Sequence, residues 1–188
     1  MIVTLTGPSG VGKGHLTTQL QASLKAQIVP WTTTRLPRPD DVLTNNRRFV
    51  SRDQFDRMQS EGLLIGVQSL HAEKYALEQK FLGLVNRNDI YVCEVNSANI
   101  QPLFPLLRHR FSIALVTDDF QLLKERILLR EPRMDNGQLS DRLEAAVKEV
   151  GLIRANSSLF QIQINIDIFL ESSVASIAIE AISRGVGV

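Results

Sequence analysis

The chain has 188 residues, 44% of them hydrophobic, which is enough for one compact domain with a substantial core. Its 21 Lys and Arg residues against 20 Asp and Glu residues leave a formal net charge of +1, which argues against nucleic acid or a membrane surface as a partner. Cys93 is the single cysteine, so an internal disulfide and a cysteine metal site are excluded. Because no signal-like segment follows Met1 and no apolar stretch could span a bilayer, we expect a soluble, cytoplasmic protein.

Apolar runs typical of strands alternate with periodic segments typical of helices. This pattern predicts an α/β fold in which helices cover both faces of a five-stranded parallel sheet. The predicted strands are residues 2–6, 27–31, 90–95, 111–116 and 160–167. The predicted helices are residues 13–25, 52–61, 76–86, 98–108, 120–130, 141–155 and 172–184. Ser51 and Gln54 form a capping-box pair before the second of these helices, and Gly62 supplies its stop signal.

The composition predicts a single domain over residues 1–188, with a core formed by 1–31 and 90–188. Two other stretches have the composition of mobile segments that cover the carboxyl edge of such a sheet. Residues 32–89 combine a loop rich in Pro and Arg with short strands, and we expect them to form an insert. Residues 130–140 are polar, and we expect them to form a lid.

Residues 7–14, Gly-Pro-Ser-Gly-Val-Gly-Lys-Gly, follow the first predicted strand and open the first predicted helix. Glycines let the backbone N–H groups of such a turn point at phosphate oxygens, and the helix adds the positive end of its dipole. Lys13 supplies a cation for the β- and γ-phosphates of a nucleoside triphosphate. The pattern G-x-x-x-x-G-K-[ST] is met except at its last position, where Gly14 stands and His15 follows.

A second basic segment, residues 32–41, places Arg35 and Arg38 three residues apart on a loop stiffened by prolines. Guanidinium groups bind phosphate oxygens in bidentate fashion and stay charged at any working pH. The two arginines can therefore converge on one anion. The alternative is a solvated basic turn, and the neighbouring phosphate-binding pattern favours the anion site.

The chain resembles the guanylate kinase family of P-loop nucleotide kinases over nearly its whole length. The resemblance keeps register through motifs at residues 7–14, 33–38, 49–55, 71–75, 126–130, 142–143 and 165–167. It implies the P-loop kinase fold, ATP and Mg²⁺ as cofactors, and catalytic roles for Lys13, Arg130 and Arg142. It implies that ATP is bound by Gly7, Pro8, Ser9, Gly10, Val11, Gly12, Lys13, Gly14, His15, Arg126 and Asn165. It also implies that Arg35, Arg38 and Tyr75 hold the phosphate of an acceptor.

Four positions that read guanine in the family are different in this chain. Trp31 replaces a serine, Gly66 a glutamate, Leu77 a serine or threonine, and Asn96 an aspartate. Each lost partner of a buried polar group costs roughly 1–3 kcal/mol. We therefore expect an acceptor that carries phosphate but not guanine, with Trp31 and Asn96 lining its site.

Further departures concern the anion and metal contacts. Arg47 replaces the family's tyrosine and either adds an anion contact or is a solvated loop residue like Arg48. Because no Ser or Thr follows Lys13, we expect Mg²⁺ to be held chiefly by ATP oxygens and water, with Glu94 as the nearest acidic candidate. Glu94 is equally interpretable as a plain carboxylate at a strand end, and His15 as a helix-surface residue. Arg126 similarly fits a pair with a neighbour on an exposed helix face.

Three hypotheses about function remain open. The first is an ATP-dependent kinase whose small phosphorylated acceptor is another nucleotide or a sugar phosphate, as in the ribose 1,5-bisphosphate kinases, which resemble guanylate kinases without the guanine-reading residues. The second is a true guanylate kinase with an unusual base pocket. The third is a silent binding module like the guanylate-kinase-like domains of membrane-associated scaffolds. The retention of Lys13 and its glycines favours an enzyme. A homo-oligomer is compatible with the sequence, which leaves the oligomeric state open.

Overall fold

The computed structural model describes residues 1–37, 46–70, 72–83, 89–169 and 171–186. Its strands, in chain order, are β1 (Ile2–Thr6), β2 (Gln27–Ile28), β3 (Trp31–Thr33), β4 (Arg47–Phe49), β5 (Leu64–Leu70), β6 (Glu73–Glu78), β7 (Tyr91–Glu94), β8 (Arg110–Val116) and β9 (Ile162–Asn165). Five of them form a parallel sheet in the order β2-β7-β1-β8-β9. The other four form a second sheet in the order β4-β3-β6-β5.

The helices, in chain order, are α1 (Lys13–Leu24), α2 (Arg52–Ser60), α3 (Ile100–Leu103), α4 (Phe120–Arg130), α5 (Asn136–Ala155) and α6 (Glu171–Val186). Short 3₁₀ turns cover Gln79–Gly83, Ser97–Asn99 and Ser157–Leu159. Among the described residues, no helix combines the length and apolar character that crossing a membrane requires.

Helices cover both faces of the parallel sheet, so even the polar residues Thr4 and Thr6 of β1 are buried. Every residue of β1 is buried. Val3 and Leu5 face one core cluster, to which α1 and α6 contribute, whereas Ile2 faces a second cluster, to which α3 and α5 contribute. The α/β fold with a five-stranded parallel sheet, predicted from the alternation of apolar runs and helical periods, is confirmed.

Several predicted boundaries change for local reasons. The predicted strand 27–31 is divided at Pro30, which has no N–H for a ladder, so β2 belongs to one sheet and β3 to the other. The predicted helix 98–108 keeps four helical residues, which end before Pro105. The predicted helix 141–155 begins earlier, at Asn136, because Asp135 caps it by accepting the Gln138 N–H at 2.8 Å. Residues 136–140 of the expected lid are therefore helical.

The predicted helix 76–86 is wrong within the described residues. Residues 73–78 form β6, which lies between β3 and β5, and a 3₁₀ turn follows it. Ala76 is buried against Phe55 of α2, while its neighbour Leu77 is buried on the opposite side, in the cluster that contains Trp31. Alternating burial of this kind belongs to a strand covered on both faces, and a short apolar run does not distinguish it from a helix.

The second sheet has a small core of its own. Phe55 of α2 is fully buried against Leu64 and Ala76. The predicted capping box is present, since Ser51 Oγ accepts the Gln54 N–H at 3.1 Å and Gln54 Oε1 accepts the Ser51 N–H at 3.0 Å. These contacts fix α2 on one face of the sheet and leave the other face toward the central sheet.

Candidate active site

The turn between β1 and α1 has the geometry that its glycines predict. Gly10 and Gly12 have φ values of 86° and 106°, in the left-handed region that favours glycine. A Cβ atom on Gly7 would collide with the backbone carbonyl of Leu115 in β8. Lys13 Nζ donates to the carbonyl of Gly7 and, at 3.1 Å, to that of Pro8. The ammonium group is thus held inside a tight turn that can cradle phosphate groups.

An apolar pocket lies beside this turn. Val11, Leu16, Ile166 and Phe169 line it, and His15 and Arg126 complete its polar edge. His15 itself is exposed at the start of α1. A largely apolar pocket next to a phosphate cradle suits a flat heterocyclic ring linked to phosphates.

Two arginines of α4 also reach the phosphate-binding turn. Arg126 Nη1 donates to the Gly10 carbonyl at 3.4 Å, and Arg130 Nη2 lies 3.4 Å from Ser9 Oγ. Their separation of four residues places both on one face of the helix. Both predicted cations therefore lie beside the turn.

Arg142 of α5 joins the same group through a carboxylate that the sequence analysis did not single out. Arg142 Nη1 and Nη2 donate to the two oxygens of Glu131 at 2.9 and 3.0 Å, and Arg130 Nη2 lies 3.3 Å from Glu131 Oε1. The side chains of Arg142 and Glu131 are only 24% and 27% exposed. A planar carboxylate thus holds two guanidinium groups much as phosphate oxygens would.

The second sheet turns one face toward the central sheet, and we call this the acceptor face. Trp31 stands opposite Arg47, and Thr33 stands opposite Tyr75, so these four side chains share the face. Trp31 is buried, and its Nε1 donates to the backbone carbonyl of Glu94 at 2.5 Å. This bond fixes the indole between the two sheets.

Arg47 and Arg48 therefore have different surroundings. Arg48 lies on the reverse face, where its Nη1 donates to the buried Glu78 at 2.6 Å. Lys80 adds a second ion pair to Glu78 at 2.8 Å. Burial raises the pKa of the Glu78 carboxyl, but the hydrogen bonds and charges of Lys80 and Arg48 outweigh burial and leave that pKa below its ordinary value.

Of the two arginines predicted to bind the acceptor's phosphate, the structure describes one. Arg35 is partly buried, its guanidinium group lies 5.5 Å from the centre of the Phe49 ring, and its Nη1 donates to the Leu36 carbonyl at 2.8 Å. Arg38, and His71 of the family motif, lie outside the described residues. Tyr75 is half-buried on the acceptor face.

Each of the residues at the four altered guanine-reading positions has its own structural environment. Leu77 is fully buried beside Trp31. Gly66 has a φ of 60°, and a Cβ atom on it would lie 2.6 Å from Leu103 Cδ2, so a side chain there would strain the backbone and displace the buried Leu103. Asn96 Nδ2 donates to Gln68 Oε1 at 2.8 Å. Gln68 gave no signal in the sequence, because its contact lies 28 residues away.

Asn165, predicted to bind ATP, contacts the loop before α4. Its Nδ2 donates to Asp118 Oδ2 at 3.3 Å, and Asp118 also pairs with Arg154 at 2.8 Å. Asp167 accepts hydrogen bonds from the Thr117 hydroxyl and from the Asp118 N–H. These contacts fix the end of β9 to the start of α4.

The residues around the turn do not form a protein-held metal site. Gly14 offers no hydroxyl, and the hydroxyl of Thr18 donates to the Gly14 carbonyl at 3.1 Å. Across the described ranges, no group of three or more His, Cys, Asp or Glu side chains is placed to hold a metal ion. A metal ion bound with a triphosphate would therefore depend chiefly on the triphosphate's oxygens. The role of Glu94 as a magnesium ligand stays a prediction.

A half-buried carboxylate lies close to the turn. Glu149 of α5 accepts the Ser97 N–H at 3.1 Å. Burial raises the pKa of the Glu149 carboxyl, while the attraction of the Lys13 ammonium group opposes that increase. Glu149 thus links α5 electrostatically to the phosphate-binding turn.

Comparison with known proteins is consistent with this arrangement. A sequence model of guanylate kinase matches residues 1–104. The guanylate kinase of Trichormus variabilis is 27% identical over 151 residues, which are 79% of this chain and 75% of that protein. The guanylate kinase of Helicobacter pylori is 28% identical over 131 residues, which are 69% and 64% of the two chains.

Solved structures show the same fold. The guanylate kinase from Anaplasma phagocytophilum superposes with a TM-score of 0.70 at 19% identity, covering 98% of this chain and 86% of that one. A gluconokinase from Sinorhizobium meliloti superposes with a TM-score of 0.55 at 11% identity, covering 97% and 91%.

The ion pairs of Glu78 predict a pH-dependent contribution to stability. Because the pKa of Glu78 is lowered in the folded protein, its stabilising effect is present above the unfolded value of about 4.3 and is lost as the pH falls through the folded value. We expect Glu78→Gln to lower the free energy of unfolding by about 1–2 kcal/mol at pH 7, with a smaller difference near pH 3. Urea denaturation at both pH values measures it.

Glu180→Gln is the matched control, since Glu180 forms a helix-surface pair with Arg184 and is 62% exposed. Its effect at pH 7 should be small. An equal loss for Glu78→Gln at both pH values would contradict the role given to the ion pairs.

Proposed function

Because the chain belongs to the guanylate kinase family, we propose that it transfers the γ-phosphoryl group of ATP to a small phosphorylated acceptor other than GMP. One observation carries the proposal. The phosphate-binding parts lie together around Lys13, while two of the four positions expected to read guanine hold the buried apolar side chains of Trp31 and Leu77. The family supports an ATP-dependent phosphotransferase, and the choice of acceptor is our inference from the site.

Phosphoryl transfer needs little covalent chemistry from a protein, but it needs aligned phosphates and cations around the group in transfer. We assign the β- and γ-phosphates to the turn and Lys13, and the base to the pocket between Leu16 and Phe169. Arg130 and Arg142 neutralise charge on the group in transfer. Glu131 holds both arginines in place until phosphate oxygens replace its carboxylate.

The acceptor's phosphate is assigned to Arg35, Arg38 and Tyr75, with Arg47 as a further cation on the acceptor face. The acceptor thereby lies between the second sheet and the carboxyl edge of the central sheet. Residues 130–140, from the end of α4 into the first turn of α5, form the part of the site that closes over ATP and excludes water. Mg²⁺ enters this scheme as part of the Mg–ATP substrate.

The space and polarity of the acceptor face argue against GMP. Trp31 and Leu77 are buried and offer no free hydrogen-bonding group toward a base, since the indole N–H already donates to Glu94. A side chain at Gly66 would collide with the buried Leu103. A guanine base would leave its own N–H groups unpaired in this site, which disfavours binding.

GMP phosphorylation is the alternative that the sequence relatives favour, because the two reported above are named guanylate kinases. They give no support to the resemblance to ribose 1,5-bisphosphate kinases. A silent binding module is disfavoured by Lys13, which keeps a position inside the turn.

Acceptor preference decides between these functions. We expect GMP to have a lower kcat/KM than at least one other member of a panel of nucleoside monophosphates and pentose phosphates, assayed by coupled ADP release. The physical reason is the loss of hydrogen-bond partners for guanine. A preference for GMP of roughly a thousandfold or more, which is typical of a site that reads a base by hydrogen bonds, would overturn the proposal.

Replacement of Lys13 by alanine should abolish transfer without unfolding the protein. Lys13 contacts carbonyl groups of the turn and belongs to neither core cluster, so the variant should keep its circular dichroism spectrum. We expect kcat to fall by about a hundredfold or more, because the lysine stabilises charge that develops in the transition state. Lys148→Ala, on the exposed surface of α5, is the control. Near-normal turnover of Lys13→Ala would refute the role of the turn.

Replacement of Arg35 by alanine should weaken binding of the acceptor without weakening binding of ATP. Loss of a charged hydrogen bond to phosphate is expected to raise KM for the best acceptor of the panel by roughly tenfold to a hundredfold. ATP affinity, measured by calorimetry, should change little. Arg57→Ala, on the exposed side of α2, is the matched control. An equal loss of ATP and acceptor affinity in Arg35→Ala would contradict the assignment of Arg35 to the acceptor's phosphate.

A further inference from the structure

Two side-chain amides, those of Asn96 and Gln68, lie between the acceptor face and the carboxyl edge of the central sheet, and a backbone N–H group fixes their orientation. The Asn99 N–H donates to Asn96 Oδ1 at 3.0 Å, where Asn96 caps the 3₁₀ turn Ser97–Asn99. A backbone N–H can only donate, so the capping atom of Asn96 must be its oxygen and the other terminal atom must be Nδ2. The Asn96 amide cannot be reversed without breaking this cap.

The orientation of Asn96 determines that of Gln68. Asn96 Nδ2 donates to Gln68 Oε1 at 2.8 Å. Because an amide nitrogen cannot accept, the atom of Gln68 that meets it must be the oxygen. The two N–H groups of Gln68 Nε2 therefore point away from Asn96, and no described residue accepts from them. Both side chains are half-buried, so the donor is held in a defined place.

Gln68 belongs to the acceptor face. It stands directly opposite Tyr75 in the pairing of β5 with β6, so the two side chains share one face. Tyr75 packs against the cluster that contains Trp31 and Leu77. Asn96 follows β7 at the carboxyl edge of the central sheet, so the amide pair joins the two sheets across the cleft.

We propose that Gln68, oriented by Asn96, is a specificity-determining residue, and that its Nε2 group selects phosphate esters that present an oxygen rather than an amino group at the end away from the phosphate. This inference rests on the proposed function, since it takes the acceptor's phosphate to lie at Arg35 and Tyr75. An oxo or hydroxyl oxygen accepts from Nε2. An amino group faces it with further donors and leaves both sides unpaired.

The test uses two pairs of nucleotides, IMP with AMP and UMP with CMP. Each first member carries an oxo group where the second carries an amino group. For the native chain, calorimetry and steady-state kinetics should show a preference for the oxo member of roughly tenfold or more, both in Kd and in kcat/KM.

Gln68→Glu is the decisive variant. It keeps an oxygen toward Asn96 Nδ2 and replaces the outward donor by an accepting oxygen, so the preference should reverse toward AMP and CMP. Gln68→Leu removes the donor, so the ratio within each pair should approach one. A merely structural role would weaken all four nucleotides alike. Gln59→Glu makes the same chemical change on the exposed surface of α2 and should leave both ratios unaltered.

Ratios near one in the native chain, unaltered ratios in both folded Gln68 variants, or no binding of any of the four nucleotides would overturn the inference. Failure of the proposed function gives a different result. In that case the binding ratios behave as expected, while no nucleotide or sugar phosphate leads to release of ADP.

Discussion

The close approach of the phosphate-binding turn to β8 is the constraint on which the site depends. Gly7 lies against the backbone carbonyl of Leu115, and only the absence of a side chain permits that approach. In this position of the turn, the Gly10 carbonyl accepts a hydrogen bond from Arg126 Nη1, and the Gly7 carbonyl accepts one from the ammonium group of Lys13. Strand β1 anchors this edge of the sheet, with Val3 and Leu5 in one core cluster and Ile2 in the other.

Shared carboxylates hold cationic side chains of this protein together in pairs. Arg130 and Arg142 come from different helices, and their mutual repulsion would separate them without a shared anion. Glu131 supplies that anion within the protein. On the reverse side of the second sheet, Glu78 does the same for Arg48 and Lys80. Both carboxylates keep flexible cationic side chains in one place before any ligand arrives.

Sequence patterns predicted the parts of this protein that depend on local or strongly periodic signals. The parallel sheet and the glycine-rich turn with Lys13 are of this kind. The helix predicted over 76–86 is wrong for residues 76–83, because a short apolar run reads the same in a strand buried on both faces. Glu131 and Gln68 escaped prediction because their roles depend on partners brought together only by tertiary structure. The roles of the site residues toward ligands stay predictions.

The contact between Gly66 and Leu103 couples two distant positions of the chain. A glutamate at position 66 would need both a left-handed backbone at φ 60° and the space filled by the leucine side chain. Shortening the fully buried Leu103 alone would leave a cavity, at a cost of about 2–5 kcal/mol for an alanine. Because each of these two changes alone destabilises the fold, descendants of this chain would reach a carboxylate at position 66 through a destabilised intermediate. Packing against Leu103 thus preserves the glycine at position 66.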